Sequence, residues 1–308
     1  CIMSETKPSV NPLLSAEIAP LMQRLTWPVL GGMLTLMSFN LVDTFFISLL
    51  GTDQLAAISF TFPVTFMIIS LAIGLSIGTS ALIAKALGAG ATESAKADSL
   101  AALWLSALLV TILALLTALF LKPLFTLLGA PAAIQHYIDD YMLVWLAGSV
   151  LLVTPMIGNA ILRAAGETKI PSLVMASGGL VNAVLDPLLI FGLGPFPELG
   201  MQGAALATVI SWLTGFLFIL YWLSVKRGLL DRIWLPVPIM LGIWRRILHI
   251  GLPAAAANML TPVAMAILTA IMASYGPQAV AALGVGMRLE SIACLVVLAL
   301  SMTLPPFV

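Results

Sequence analysis

Two aspartates stand inside runs of apolar residues that are long enough to cross a lipid bilayer. Asp186 follows Asn182 by four positions in the stretch 178–194, and Asp43 follows Asn40 by about one helical turn. On an α-helix, residues four positions apart lie on the same face. A carboxylate placed in hydrocarbon costs at least about 2.5–3.5 kcal/mol, so each aspartate is a candidate functional group. Both lie deep in their apolar spans, and we expect the rest of the chain to bring them together.

The two aspartates predict a site that exchanges a cation. Burial away from water favours the neutral form of a carboxyl group, and two facing carboxyl groups titrate as a pair. Asn40, Asn182 and Thr208 supply amide and hydroxyl groups that can bond either charge state. Such a cluster predicts a proton site, or a sodium site at Asp43 and Asp186. The alternative is that the acids only join helices through hydrogen bonds, although Asn, Gln, Ser or Thr would do so at lower cost.

The composition indicates the class of protein. Of the 308 residues, 61% are apolar and 8% are charged, a balance that water-soluble domains do not have. The chain is therefore predicted to be an all-α polytopic membrane protein. Its net charge of zero gives no reason to expect a nucleic-acid partner. The sequence contains no nucleophile–base set, nucleotide motif or metal-ligand spacing, so we expect neither an enzyme nor a cofactor beyond the coupling ion.

Apolar runs of about 20 residues or more predict eight membrane spans. The spans are Leu25–Leu50, Ala57–Ala84, Leu100–Leu121, Ile138–Ile161, Pro171–Phe191, Gly203–Leu223, Leu252–Tyr275 and Ala279–Leu304. Eleven of the 13 Lys and Arg residues lie before span 1 or in the connections that follow spans 2, 4 and 6. Lys122 lies in an opposite loop, and Arg288 lies inside span 8. Because positive charges favour the cytoplasmic side, we expect a cytoplasmic N-terminus.

The chain also repeats itself. A shift of 225 residues superposes Pro28 on Pro253, together with several other matches in the same frame. A unit of six spans enters the membrane from the same side each time, which makes a parallel repeat. We therefore predict a six-helix N-terminal lobe over residues 1–224, a cytoplasmic linker over 225–247, and the first two helices of a second lobe over 248–308. Doubling the unit gives about 450 residues, so we expect the chain to be incomplete by about 150.

The sequence resembles the MATE family, the multidrug and toxic compound extrusion transporters. The resemblance rests on LVDTFFI around Asp43, RAAGETKIPS at 163–172, NAVLDPLLIFGLG at 182–194 and GMQGAALATVIS at 200–211. It looks most like the DinF-like branch, which carries an acid in span 1 and the Asn/Asp pair in span 5. The resemblance implies a MATE-like fold and an antiporter, coupled to protons or sodium, that exports amphipathic and often cationic compounds.

The resemblance also implies a set of site residues. The family's polar cluster maps onto Asp43, Tyr141, Asn159, Asn182, Asp186 and Thr208. Through it, Tyr141 and Asn159 are assigned to the substrate cavity, although an interfacial tyrosine is the alternative for Tyr141. Arg288 and Glu290 are expected to face a water-filled cavity between the lobes, unless the start of span 8 is misplaced. The acidic pair 139–140 is expected to stay in water.

Three functions compete at this point. The first is a monomeric, lipid-embedded antiporter that exports amphipathic or cationic small molecules across a bacterial inner membrane. The second is a flippase for lipid-linked precursors of the same superfamily. It would need a basic cavity for pyrophosphate, and spans 1–6 hold no deep Lys or Arg. The third is an ion channel or structural membrane subunit, against which the parallel repeat with its asymmetric acids argues.

Overall fold

The computed structural model describes residues 18–128, 130–230, 235–273, 290 and 293–303. Within these ranges the chain is helical and forms no β-strand. The helices are α1 (Ile18–Ser48), α2 (Thr52–Gly88), α3 (Thr92–Leu119), α4 (Leu121–Leu127), α5 (Gln135–Ala164), α6 (Lys169–Ile190), α7 (Gly200–Tyr221), α8 (Val237–Ala273) and α9 (Ala293–Thr303). A 3₁₀ turn, Ala132–Ile134, precedes α5, and a π-helical turn, Trp222–Lys226, follows α7.

The prediction of an all-α membrane protein is confirmed. In the described parts of the chain, five helices are long and apolar enough to cross a membrane, namely α2, α3, α5, α6 and α7 with their adjoining turns. The helices α1 and α8 cover predicted spans 1 and 7, and α9 covers the end of span 8. Residues 274–289, which include the turn of the predicted second hairpin, lie outside the described residues. Helix α8 begins at Val237, within the stretch 225–247 that the sequence predicted as a linker.

The first six long helices pack into one bundle. Helix α5 lies against α2, α3 and α7, while α6 lies against both α1 and α7. Because lipid is as apolar as the side chains, close packing rather than burial from water holds such helices together. A continuous cluster of buried apolar residues, including Ile68, Leu105, Ile138 and Ile157, joins these helices. Helix α8 lies along α2 and also reaches α3.

A glycine turn sets the direction of α6. Helix α5 ends at Ala164, and Gly166 adopts a φ of +77°. The N–H of Glu167 then donates to the Leu162 carbonyl oxygen over 2.9 Å, and the N–H of Gly166 donates to Arg163. This Schellman pattern requires a left-handed residue, which only glycine adopts without strain. The chain therefore reverses at once into α6.

Successive long helices run in alternating directions, so the bundle has two ends. The basic end is formed by the starts of α1, α3, α6 and α8 and by the ends of α2, α5 and α7. The opposite end holds the α1–α2, α3–α5 and α6–α7 connections. The described Lys and Arg residues at the basic end are Arg24, Lys85, Lys96, Arg163, Lys169, Lys226, Arg227, Arg245 and Arg246. Lys122 lies at the opposite end.

Candidate cation-binding site

Four helices bring polar side chains together near the opposite end of the bundle. Helix α1 carries Asp43, α6 carries Asn182 and Asp186, α7 carries Thr208, and α5 carries Tyr141. Both α1 and α7 pack against α6, so the face of α6 that holds the Asn/Asp pair is turned into the bundle. The Asn/Asp pair on α6 is therefore part of a polar cluster to which four helices contribute side chains.

Asn182 is the centre of a chain of hydrogen bonds. Its side-chain Nδ2 donates to Asp186 Oδ1 over 3.1 Å and to Thr208 Oγ1 over 3.3 Å. The Thr208 hydroxyl in turn donates to the Ala204 carbonyl oxygen over 3.0 Å. Both amide hydrogens of Asn182 are therefore used, and the amide holds one oxygen of Asp186 in a fixed direction.

The carboxyl groups of Asp43 and Asp186 lie close enough to interact directly. Asp186 is completely buried. Asp43 Oδ1 and Asp186 Oδ2 are buried without a hydrogen-bond partner among the described residues. Two ionised carboxylates at this range repel each other, whereas one shared proton turns their contact into a hydrogen bond. The arrangement therefore suits the uptake of a single positive charge.

The groups at this site fit a proton or a hard metal cation. The possible ligands are the two carboxyl groups, the amide oxygen of Asn182 and the hydroxyl oxygen of Thr208. Hard cations prefer such oxygen ligands, so the residues fit sodium as well as a proton. Over the described ranges, no group of three or more His, Cys, Asp and Glu side chains is placed to hold another kind of metal.

Tyr141 lies inside the bundle. It is 7% exposed, and Asp43 and Asp186 both act electrostatically on its hydroxyl. A tyrosine that anchors a helix at the membrane interface keeps its hydroxyl in the headgroup region, whereas the structure buries Tyr141 among the helices. The resemblance assigned Tyr141 to the substrate cavity, and the structure places it beside the two acids.

The site lies near the opposite end of the bundle rather than deep in the membrane spans. Asp43 stands five residues before the end of α1 at Ser48, and Asp186 stands four residues before the end of α6 at Ile190. At 1.5 Å per residue, the acids are about 6–8 Å from the helix ends. The expectation that they lie deep in their spans is therefore corrected. The predicted ends of these spans, Leu50 and Phe191, lie only two residues and one residue beyond the helix ends, so the predicted bounds already placed both acids in the last two turns.

Asn159 does not join this cluster. It lies on α5 about five turns beyond Tyr141, roughly 27 Å along the helix, and thus toward the basic end. Asn159 is 7% exposed, and its amide oxygen has no partner in the described part of the chain. The neighbouring Gly158 packs against Ile219 of α7. Asn159 is therefore a buried polar group separate from the acid pair.

The remaining predicted residues do not add to the site. Asn40 belongs to α1, but its side chain lies outside the described part, as does the whole of Arg288. Glu290 is exposed. Asp140, which was expected to stay in water, is half-buried and accepts a hydrogen bond from Gln202 Nε2 over 2.8 Å. That bond joins α5 to α7 at the opposite end.

Asp98 is a buried acid that the sequence did not reveal. It is 2% exposed and lies 3.3 Å from Arg246 of α8. Predicted span 3 began at Leu100, which left Asp98 in a connection, whereas α3 already begins at Thr92. The sequence signal that could have revealed it is spacing. Asp98 precedes the apolar residues 101–102 by three and four positions, which puts it on the same face of a helix as they are.

Comparison with known proteins places the chain in a family. The MatE family model matches residues 28–188. The chain is 45% identical, over 96% of its length, to a Shewanella oneidensis protein named FAD transporter, of which it covers 66%. It is 29% identical over 91% of its length to the probable multidrug resistance protein YoeA of Bacillus subtilis, of which it covers 60%. The chain thus spans less than two thirds of the length of these relatives.

Solved structures show the same fold. The Vibrio cholerae MATE transporter VcmN in its bent form superposes with a TM-score of 0.87 at 37% identity, over 94% of this chain and 65% of that one. An outward-facing multidrug resistance MATE family transporter of the MOP superfamily gives 0.85 at 32% identity, over 97% of this chain and 66% of that one. These relatives are transporters rather than enzymes. With a family model that covers 28–188 and relatives along nearly its whole length, this multi-pass membrane protein belongs to the MATE family.

Proposed function

We propose that the protein is a cation-coupled antiporter, driven by protons or sodium ions, that exports amphipathic organic molecules. The observation that carries this proposal is the direct approach of Asp43 to Asp186 inside a bundle of membrane helices. Asn182 holds one of these carboxyl groups in place. Neutral polar side chains would join the helices at lower cost, so two acids at one place favour a site for an exchangeable cation.

The cation and the substrate are coupled through the packing of α1 on α6. With a cation between them, the carboxyl groups of Asp43 and Asp186 attract each other through it and hold the helices together. Without the cation, the two carboxylates repel, which favours a shift of α1 away from α6. A substrate that binds one of these arrangements better than the other displaces the cation, and the cation displaces the substrate, by linkage.

The orientation of the transporter in the membrane follows from the placement of its positive charges. The basic end lies in the cytoplasm, because Lys and Arg are retained on that side of a membrane. The acid pair then lies near the outer face of a bacterial inner membrane. The protein acts as a monomer surrounded by lipid, binds small molecules, and uses no cofactor besides the coupling ion.

A flavin dinucleotide is a second candidate for the substrate. The relative at 45% identity is named FAD transporter, whereas relatives named for multidrug resistance are 29% and 26% identical. FAD joins flat ring systems to a charged pyrophosphate, the group for which the sequence offers no deep Lys or Arg in spans 1–6, so FAD is a candidate distinct from the cationic compounds. The greater identity makes FAD worth testing beside cationic dyes.

Efflux from proteoliposomes tests the proposal. Vesicles containing the purified protein are loaded with ethidium or with FAD, and initial efflux rates are measured under an imposed pH or sodium gradient. We expect one gradient to drive efflux and Asp43→Asn to abolish it, because Asn keeps the shape of the side chain but cannot exchange a proton. Asp53→Asn is the matched control, since Asp53 is an exposed acid at the start of α2.

Two results would overturn the proposal. Full gradient-driven efflux by Asp43→Asn would show that this acid is not the coupling group. An initial efflux rate that is the same with and without each gradient would show that transport is not coupled to either cation. Efflux of FAD but not of ethidium would select the second candidate substrate.

A further inference from the structure

Helix α8 packs against the rest of the bundle in its half nearest the basic end. Ile243, Ile247, Gly251 and Ala255 are buried, and their spacing forms one stripe along the helix. Beyond Ala255, no side chain of α8 that the structure describes is buried. Among the described side chains, the buried stripe of α8 therefore ends at Ala255, about half-way along the helix.

Within this contact, the backbones of α2 and α8 touch. A Cβ added at Gly74 would lie 2.3 Å from the Gly251 carbonyl oxygen, and one at Gly78 would lie 2.5 Å from the Ile247 carbonyl oxygen. Glycines four positions apart permit such an approach between membrane helices. The basic end is therefore tightly closed between α2 and α8.

Two polar contacts join α8 to α3 beside this crossing. Arg246 Nη2 donates to Asp98 Oδ1 over 3.3 Å, and Trp244 Nε1 donates to the Ala101 carbonyl oxygen over 2.8 Å. The Asp98 side chain is 3% exposed, whereas that of Arg246 is 55% exposed. Asp98 thus depends on Arg246 for a compensating charge, while Arg246 keeps its access to water.

Helix α9 makes a second contact at the same end. Its residues Leu295 and Ala299 pack against Val29 of α1. The buried hydroxyl groups of Thr26 and Thr303 lie 3.1 Å apart and share a hydrogen bond. Both helices that follow the six-helix bundle are therefore anchored at its basic end.

We propose that Asp98 and Arg246 form a latch that holds the basic end closed and opens once in each transport cycle. This inference rests on the proposed function, because exchange across a membrane requires the binding sites to face each side in turn. To open the basic end, α8 has to separate from α2 and α3, which breaks the ion pair and the Trp244 hydrogen bond.

The burial of Asp98 makes the latch reversible. In the closed state Asp98 is out of water and paired, and in the open state water replaces Arg246 around its carboxylate. Removal of Arg246 alone leaves the buried acid without a partner in the closed state only. Because an uncompensated buried charge is costly, Arg246→Gln selectively destabilises the closed state.

Distances between α3 and α8 report the state of the latch directly. Nitroxide labels are attached to cysteines introduced at Ser94 and Leu241, which are both exposed near the starts of their helices. The two native cysteines, Cys1 and Cys294, are first replaced by serine. Double electron–electron resonance on the labelled protein in liposomes then gives the populations of short and long distances.

Matched variants give the expected outcomes. Arg246→Gln is expected to raise the long-distance fraction about fivefold, the lower end of typical coupling between conformations. Arg245→Gln removes the same charge from an exposed neighbour and is expected to leave the populations unchanged. In the double variant Asp98→Asn, Arg246→Gln, no buried charge remains but the ion pair is also lost, so the long-distance fraction is expected to lie between those of Arg246→Gln and the wild type. Identical distributions for Arg246→Gln and Arg245→Gln would overturn the latch.

A second variant covers the case in which Arg246→Gln does not fold. Trp244→Phe keeps an aromatic ring at this position but loses the N–H donor and one ring of the indole, and it is expected to raise the long-distance fraction at least about twofold, the equivalent of one modest hydrogen bond. An unchanged distribution in that variant would then overturn the latch. These distances need no transport to be measured. Efflux by the unmodified protein that does not depend on either gradient would therefore refute the antiporter, whereas unaltered distances would refute only the latch.

Discussion

The contact between α6 and α7 sets the geometry of the candidate site, and Gly203 is a point where their backbones touch. A Cβ added at Gly203 would lie 2.3 Å from the Leu189 carbonyl oxygen and 2.6 Å from its carbonyl carbon. Because non-bonded carbon contacts lie at about 3.5–4.0 Å, Gly203→Ala would push α7 away from α6 by roughly 1 Å. The atoms in the way are backbone atoms, so no side-chain rotation relieves the overlap.

This displacement reaches the site through Thr208, little more than one turn further along α7. The Asn182 Nδ2 to Thr208 Oγ1 distance is 3.3 Å, so a shift of roughly 1 Å breaks the bond. Overpacking of this kind costs about 1–3 kcal/mol, and a lost hydrogen bond costs about 0.5–1.5 kcal/mol. We expect Gly203→Ala to lower the free energy of unfolding by about 1–3 kcal/mol and gradient-driven efflux by about tenfold, the equivalent of 1.4 kcal/mol.

Gly178→Ala is the matched control on the other helix of the same interface. Its Cβ would meet only the Ser211 carbonyl oxygen, at an ordinary distance of 3.8 Å. Alanine is more favourable than glycine in a helix by about 1 kcal/mol, so we expect this variant to be at least as stable as the wild type and equally active. Thermal unfolding followed by circular dichroism, together with proteoliposome efflux, compares the two. Equal Tm values and equal efflux rates for both variants would refute the reasoning.

Three further substitutions test the neighbourhood of the site. Asn182→Leu leaves Asp186 Oδ1 buried without its donor and is expected to slow gradient-driven efflux at least about tenfold; an unchanged rate would remove Asn182 from the mechanism. Tyr141→Phe keeps the buried ring but not the hydroxyl beside the acids, so the pH of half-maximal efflux is expected to move while Tm changes little. Superimposable pH profiles would contradict this. Gln202→Leu breaks the bond to Asp140 and is expected to cost less than about 1 kcal/mol of unfolding free energy with efflux intact; a transport defect would instead connect Asp140 to the cation path.

The α6 half of the site could be predicted from the sequence, because helix geometry is local. The four-residue spacing of Asn182 and Asp186 in an apolar run places both on one face, and the structure joins them by a hydrogen bond. Periodicity says which face is polar, but not which helix that face meets. The approach of Asp43 depends on the packing of α1 against α6, which the sequence raised only as an expectation.

Depth and helix ends could not be predicted in the same way. Hydropathy marks where apolar residues begin, whereas hydrogen bonding continues a helix into the polar residues beyond them. Helix α3 therefore begins at Thr92 and α8 at Val237, and both Asp98 and Arg246 lie on helices rather than in connections. Asn159 shows a related weakness of motif matching. A motif can identify the helix on which a residue lies, but it does not give the distance between that residue and the site.

The off-centre position of the acid pair has an electrical consequence. Helix α6 has 22 residues, a length of about 33 Å that matches a hydrocarbon core of about 30 Å. Asp186, about 6 Å from one end, divides this length roughly one to four. The full membrane field acts on a unit charge with about 2.3 kcal/mol per 100 mV. In the proposed antiporter, a cation that enters from the near side would therefore cross about one fifth of the voltage before it binds, and about 1.8 kcal/mol per 100 mV would act on it afterwards. Under that proposal, release toward the basic end, rather than binding, would be the voltage-sensitive step.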